Sequence, residues 1–202
     1  MRTLYNFAVR RGLVTRNPAN GVELPVCESA PPVVHSPAEV RRVLEFARGH
    51  DLNLCRVLAV RYFAGLRSAE ADRLREPQVK PGHIEVTAAN SKTRKRRLVT
   101  VQPALRAWLA LGGTFEFGDR GQRWRTFTAA LQRETGVTWA HNVTRHSFVS
   151  YHVAQFRSAA GTALEAGHTE QMLFAHYREL VTPAAAAEFW GTVPLKRGSN
   201  CS

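Results

Sequence analysis

His83-Ile84-Glu85-Val86-Thr87, followed after Asn90-Ser91-Lys92-Thr93-Arg94-Lys95-Arg96-Arg97 by Leu98-Val99-Thr100-Val101, is the stretch that sets the fold class of this chain. Both ends are short and rich in β-branched residues, and a turn-forming, basic segment separates them, which predicts a β-hairpin. The surrounding sequence reads as helix. Upstream, Ser36-Pro37-Ala38-Glu39 supplies a capping hydroxyl, a proline at the first helical position and a glutamate three residues after the cap. Val40, Val43, Leu44 and Phe46 then form an apolar face. A second helix over about 52–64 is ended by Gly65, and Ser68 is placed to cap a short third helix through about Leu74. Downstream of Pro103 the apolar spacing predicts helices over 103–110, 122–134, 143–157, 159–166, 170–180 and 183–190, broken at Gly112-Gly113, Gly136 and Gly167. The expected fold is mainly α with a small antiparallel β-sheet.

The organisation follows from the punctuation. Residues 1–24 read as one helix and its exit, with Leu4, Phe7 and Ala8 on a partial stripe and Asn17-Pro18 as the stop. A single helix cannot bury its own apolar face, so this segment either docks elsewhere or belongs to a larger unit. Pro25, Pro31 and Pro32 mark 25–35 as a linker, 36–190 as the main domain and 191–202 as a flexible tail. Of 202 residues, 44% are apolar and 22% charged, a globular balance. No apolar run approaches membrane-spanning length, and Met1 to Tyr5 lacks a signal-peptide core. Cys27, Cys55 and Cys201 have neither disulfide-framework nor zinc-ligand spacing. These features point away from membrane and secreted classes and toward a reducing cytoplasm.

Charge is more informative. The net charge is +12, and 24 of the 28 basic residues are arginine. A field of that sign favours a polyanion, and the planar guanidinium fork suits phosphate. A GC-rich genome also inflates arginine, so composition alone leaves the partner open.

Four separated stretches carry candidate chemistry. In Gly65-Leu66-Arg67-Ser68-Ala69-Glu70, an arginine is displayed just past a helix-ending glycine, with Glu70 placed to pin its guanidinium. Lys92, Arg94, Lys95, Arg96 and Arg97 crowd the hairpin tip without one acid among them. Asn142-Val143-Thr144-Arg145-His146-Ser147-Phe148 opens a helix, where backbone N–H groups and an arginine suit an anion. Gly167-His168-Thr169 is followed by Tyr177. Each has an ordinary reading when taken singly: a surface Arg–Glu pair, a solvated loop, a capping histidine, a half-buried aromatic.

Taken together and in order, the stretches resemble the tyrosine recombinase (phage integrase) family. The matching positions are Gly65, Leu66, Arg67 and Glu70; Lys92; Arg145 to Phe148; His168; and Tyr177, with Arg145 preceding His168 by 23 residues and His168 preceding Tyr177 by nine. The resemblance covers about residues 36–190 and implies the catalytic-domain fold of DNA breaking-rejoining enzymes. Residues 1–24 resemble only the last helix of the family's N-terminal core-binding domain.

The resemblance implies a site-specific recombinase or integrase serving integration or excision of mobile DNA. In that chemistry Tyr177 attacks the scissile phosphate, leaving a 3′-phosphotyrosyl link and a free 5′-hydroxyl. A phenol with a pKa of about 10 is a weak nucleophile at neutral pH, so neighbouring cations must favour its anion. Arg67 and Arg145 would clamp the phosphate oxygens, Lys92 would protonate the leaving oxygen, and His168 would hydrogen-bond the phosphate. Asn142 stands where the family carries histidine; it can donate a hydrogen bond but not act as an acid or base, and His141 lies one residue earlier. Glu70 supports Arg67, and Arg94, Lys95, Arg96 and Arg97 would grip the DNA backbone. No cofactor and no metal are implied. The expected partner is double-stranded DNA in the nucleoid, bound by a homo-tetramer. Pro183 to Trp190, anchored by Phe189 and Trp190, either docks on a neighbouring copy or closes the chain's own core. Two alternatives stand beside this reading: a truncated, non-catalytic DNA-binding remnant with a regulatory role, and a relaxing activity like that of type IB topoisomerases.

Overall fold

The computed structural model describes residues 1–23, 32–89, 96–116, 120–171, 173 and 181–196. The chain divides into two compact units, Met1–Pro31 and Pro32–Ser202.

The first unit holds helix α1, Arg2–Arg10, and a 3-10 turn, Pro18–Gly21. Polar contacts strap the two together. The Asn17 amide donates to the Arg2 carbonyl at 3.1 Å and to Asn6 Oδ1 at 2.7 Å, while its oxygen caps the turn through Ala19 N–H at 2.8 Å. Arg2 Nε donates to the Ala19 carbonyl at 2.9 Å. The apolar stripe is uncovered: Leu4 is 63% and Phe7 52% exposed.

The second unit begins at a segment that the sequence reads as linker but that is locked into the core at its end. His35 is buried; its Nε2 donates to the Thr138 carbonyl at 3.0 Å, so its Nδ1 accepts from the Tyr62 hydroxyl at 2.6 Å. Its backbone joins the core as well, through Ser147 Oγ and the Tyr151 hydroxyl, both at 3.0 Å. Helix α2, Pro37–His50, starts with the expected capping box: Glu39 N–H donates to Ser36 Oγ at 3.3 Å and Ser36 N–H donates to Glu39 Oε2 at 2.7 Å. Its buried face is Val40, Val43, Leu44 and Ala47. Helix α3, Leu52–Phe63, is capped by the Asp51 carboxylate and buried along most of its length. It is the central helix, packed on α2, on α5 (Pro103–Leu109) and on α7 (Val143–Phe156).

After α3 the chain reverses through Gly65 at φ +58°. Helix α4, Ser68–Asp72, follows, and Arg67 rather than Ser68 is its N-cap residue. Ser68 instead accepts a hydrogen bond from the buried Arg61 guanidinium at 2.8 Å, which lies over the rings of Trp124 and Trp139. Strands β1, His83–Val86, and β2, Arg97–Thr100, pair antiparallel with His83 opposite Thr100 and Val86 opposite Arg97. Ile84, Val86 and Val99 face the core. A 3-10 turn, Glu76–Gln78, and helices α6 (Arg120–Thr135), α8 (Ala159–Ala166) and α9 (Pro183–Trp190) complete the described elements; the helix expected over 170–180 lies mostly outside the described residues. The fold is mainly helical with one two-stranded antiparallel sheet, as the sequence predicts.

Of the two readings of the C-terminal segment, the structure shows the one in which it packs on its own chain. Phe189 stacks on Tyr151 at 4.3 Å and lies 5.0 Å from Phe63, while Trp190 Nε1 donates to the Tyr151 carbonyl at 3.3 Å. Both proposed anchors therefore close the chain's own core. The segment after 190 is also held: the Thr192 carbonyl accepts from Trp108 Nε1 at 2.8 Å, and Leu195 N–H donates to Glu45 at 2.7 Å. The body thus runs to at least 196. Among the described residues, no helix is long and apolar enough to cross a membrane.

The Gly65 turn makes a stability prediction. A Cβ there would sit 2.2 Å from the Phe148 ring, at a φ that costs any other L-residue energy. Gly65→Ala is expected to lower unfolding free energy by about 2–4 kcal/mol in denaturant titrations. A loss near ~1 kcal/mol, the backbone cost alone, would show that Phe148 does not press on this turn.

Candidate active site

The site is built around a buried carboxylate. Arg67 leaves the Gly65 turn, and three residues later α4 carries Glu70 back toward it. Glu70, whose side chain is 1% exposed, accepts four hydrogen bonds. Oε2 takes Arg67 N–H at 2.9 Å and Arg97 Nη2 at 2.6 Å; Oε1 takes Arg67 Nη1 and Arg97 Nη1, each at 3.0 Å. An ionised carboxylate offers about four acceptor positions, so Glu70 is saturated. Burial alone would raise its pKa; the Arg97 hydrogen bonds and charge, with those of Arg67, hold it below the usual carboxylate range.

Helix α7 delivers Arg145 from its first turn into the same region. The buried guanidinium donates through Nη1 to the Gly65 carbonyl at 2.6 Å, through Nη2 to the Ala166 carbonyl, and through Nε to His168 Nε2 at 3.2 Å. Arg67 Nη2 donates to the neighbouring Gly167 carbonyl at 2.9 Å. The ends of α3 and α8 thus present outward-facing carbonyls, and with them the negative ends of the helix dipoles, to guanidiniums.

His168 is neutral at physiological pH. Burial first, then the charges of Arg145, Arg67, His146 and Arg97, pushes its pKa down to about 3. Since Nε2 accepts from Arg145, the imidazole proton resides on Nδ1. Three guanidiniums therefore gather here, those of Arg67 and Arg97 on Glu70 and that of Arg145 on backbone carbonyls and His168. Arg67, with its side chain 23% exposed, brings part of that charge to the surface.

Of the candidate residues, the structure brings Arg67, Glu70, Arg145 and His168 close to one another. Asn142 stands beside them at the start of α7, in the left-handed region at φ 55°, a conformation asparagine tolerates better than most residues. Its side chain makes no capping bond, whereas its carbonyl accepts from Arg145 and His146 N–H at 3.0 and 2.9 Å. His141 is exposed one residue earlier in the same turn. Arg96 is exposed and lies 3.5 Å from Glu85. Lys92, Arg94, Lys95 and Tyr177 lie outside the described residues.

Arg97 is a correction. The sequence places it among surface cations for DNA, but its side chain is 8% exposed and its fork is taken up by Glu70. A signal for this exists in the strand: Arg97 is in phase with Val99 and opposite Val86, both of which face the core. Sequence reasoning also passed over His146, whose charge acts on His168, and Glu165, whose carbonyl accepts Arg97 Nε at 2.8 Å and whose carboxylate accepts the Thr100 hydroxyl at 2.7 Å.

No family model matches the chain. It is 28% identical over 190 residues to the tyrosine recombinase XerC of Pseudomonas fluorescens, covering 84% of this chain and 63% of that protein, so it spans less than two thirds of this relative's length. Among solved structures, the catalytic domain of bacteriophage HP1 integrase superposes with a TM-score of 0.55 at 20% identity, over 81% of this chain and 89% of that one. The Tn1549 transposon integrase in complex with circular intermediate DNA gives 0.65 at 13% identity, over 93% and 75%. A lambda integrase tetramer bound to a Holliday junction gives 0.61 at 14%, over 83% and 54%. The architecture is therefore that of integrase catalytic domains. In sequence the chain is similar to a tyrosine recombinase, and in fold to the catalytic domains of integrases.

The neutral His168 sets a pH dependence. Its folded pKa lies below that of a free imidazole, so as pH falls below about 6.5 the unfolded chain takes up a proton that the folded chain refuses until about 3. Stability is thus full above that range and is lost progressively on acidification; buried His35, its pKa also lowered by burial, acts in the same direction. Thermal melts between pH 7.5 and 4.5 are expected to show a shallower slope in His168→Gln than in the parent chain. An unchanged slope would mean that His168 is charged in the folded state.

Proposed function

We propose that this chain is the catalytic part of a site-specific DNA recombinase or integrase that cuts and rejoins DNA through a 3′-phosphotyrosyl intermediate. The observation that carries the reading is the convergence of Arg67, Arg145 and neutral His168 on one cationic centre, from three stretches separated by up to a hundred residues. Phosphoryl transfer needs positioning and charge stabilisation more than covalent help from the protein, and paired guanidiniums supply both.

In this mechanism the Tyr177 hydroxyl attacks phosphorus in line with the leaving 5′-oxygen. The tyrosine proton is lost, the phosphotyrosyl bond forms, the phosphorus–oxygen bond to the 5′ side breaks, and Lys92 protonates the released 5′-hydroxyl. Attack by a 5′-hydroxyl of a second strand reverses each step, so the bond energy is conserved. Arg67 and Arg145 stabilise the added negative charge of the five-coordinate state. His168 steadies Arg145 by accepting from its Nε, which only the neutral imidazole can do. Asn142 contributes an amide donor at the mouth of α7. Double-stranded DNA is the substrate, engaged also by Arg94, Lys95 and Arg96. Assembly into a homo-tetramer on DNA belongs to the same reading, made through surfaces other than Phe189 and Trp190.

The test traps the covalent intermediate. Nicked duplexes taken from sequence flanking the chain's own gene are expected to give a denaturant-resistant DNA adduct that Tyr177→Phe abolishes. By analogy with other phosphoryl-transfer arginines, loss of Arg67 or Arg145 is expected to slow adduct formation on the order of 10³–10⁵-fold. Salt-sensitive DNA binding without an adduct would support the non-catalytic remnant instead. Relaxation of supercoiled plasmid with no strand exchange would support the topoisomerase-like alternative. In the same assay Asn142→Ala is expected to slow the reaction more than His141→Ala; the opposite order would move the role to His141.

A further inference from the structure

We propose that Arg97 is a positioning residue that aims Arg67, and is not a DNA contact. The proposal rests on the reading above that Arg67 meets a scissile phosphate. Arg97 closes a run of basic residues, yet its guanidinium faces inward and grips both oxygens of Glu70 at 3.0 and 2.6 Å. Glu70 passes the constraint on, holding Arg67 by its N–H and its Nη1 at 2.9 and 3.0 Å. A carboxylate held only by Arg67 could swing with it; one clamped from the far side by a planar fork cannot.

Two further contacts make Arg97 a brace for the whole cradle. Its Nε donates to the Glu165 carbonyl at 2.8 Å, fixing the end of α8. Its side chain also lies against Gly167, where a Cβ would fall 3.4 Å from Nη1. The Gly167 carbonyl is the acceptor of Arg67 Nη2 at 2.9 Å. Arg97 therefore bonds Glu70, one described partner of the Arg67 guanidinium, and through the Glu165 carbonyl it braces the helix end that carries the other. Lysine preserves the charge but offers a point donor in place of the fork, so it cannot hold two carboxylate oxygens and a carbonyl together.

The experiment compares the parent chain with Arg97→Lys, Arg67→Lys and the double variant. Arg97→Lys is expected to slow adduct formation about 10- to 100-fold, the scale of a small misplacement of a reacting group. DNA affinity and its salt dependence are expected to stay the same, because no phosphate contact is lost. The double variant is expected to be no slower than Arg67→Lys alone, since Arg97 acts through Arg67. A weaker Kd with a salt slope reduced by about one would mean that Arg97 meets phosphate, and would overturn the proposal. Fully additive rate losses would overturn it as well.

Two nuclear magnetic resonance readouts do not depend on turnover. In Arg97→Lys the Arg67 Nε–H resonance is expected to shift or broaden; an unmoved resonance overturns the proposal even if no adduct ever forms. In the parent chain, added DNA duplex is expected to move the Arg67 Nε–H signal and leave that of Arg97 protected. The reverse pattern overturns the proposal without requiring any variant to fold.

Discussion

A single buried carboxylate organises this site. Glu70 is enclosed with two guanidiniums and one backbone N–H, and all of its acceptor capacity is used. Enclosing a carboxylate away from water costs several kcal/mol unless charge and hydrogen bonds offset it. The dependence runs both ways. Without Glu70, Arg67 and Arg97 would be like charges sharing a poorly hydrated space; without either arginine, the carboxylate would be underbonded. The arrangement does little for net stability compared with an apolar core, but it admits very few geometries. It joins α4, β2 and the end of α8, which are distant in sequence.

The second constraint is where the cations find acceptors. Arg145 and Arg67 draw on the carbonyls of Gly65, Ala166 and Gly167, which belong to the exits of α3 and α8. Carbonyls in the last turn of a helix lack intrahelical partners and carry the negative end of the dipole. Guanidiniums placed there are partly neutralised by the backbone, which eases their crowding around Glu70. Gly65 is bound into this scheme twice: its carbonyl receives Arg145, and its missing side chain leaves room for Phe148, three residues along α7 from Arg145.

Much of this was legible in the sequence because it was written in local rules. The Ser36–Glu39 capping box, the Gly65 stop and the alternation across the hairpin each act over a few residues, and each appears where those rules put it. The pairing of Arg67 with Glu70 is also local, one helical turn apart. The failures came where a long-range contact overrides composition. Arg97 looks like the end of a solvated basic run, and only its phase with Val99 places it inside. His35 looks like linker, but Tyr62 and Thr138, 27 and 103 residues away, make it core. Phe189 and Trp190 at a C-terminal edge suit an intermolecular anchor equally well until Tyr151 and Phe63 are seen to cover them.

The state of His168 follows from the same electrostatics that hold the carboxylate. Burial disfavours the charged ring most, and the neighbouring cations Arg145, Arg67 and Arg97 add to it, so the imidazole gives up its proton far below the pH at which a free one would. Neutrality in turn decides what the ring can do. A protonated imidazole has two donors and no acceptor, so it would repel Arg145 and break the contact to its Nε. The neutral ring accepts that contact and fixes the guanidinium's rotation about its own axis, which carbonyls at Nη1 and Nη2 only partly restrain. Glu70 and the backbone carbonyls hold the arginines, burial and then those cations keep His168 neutral, and the neutral ring completes the cradle around Arg145.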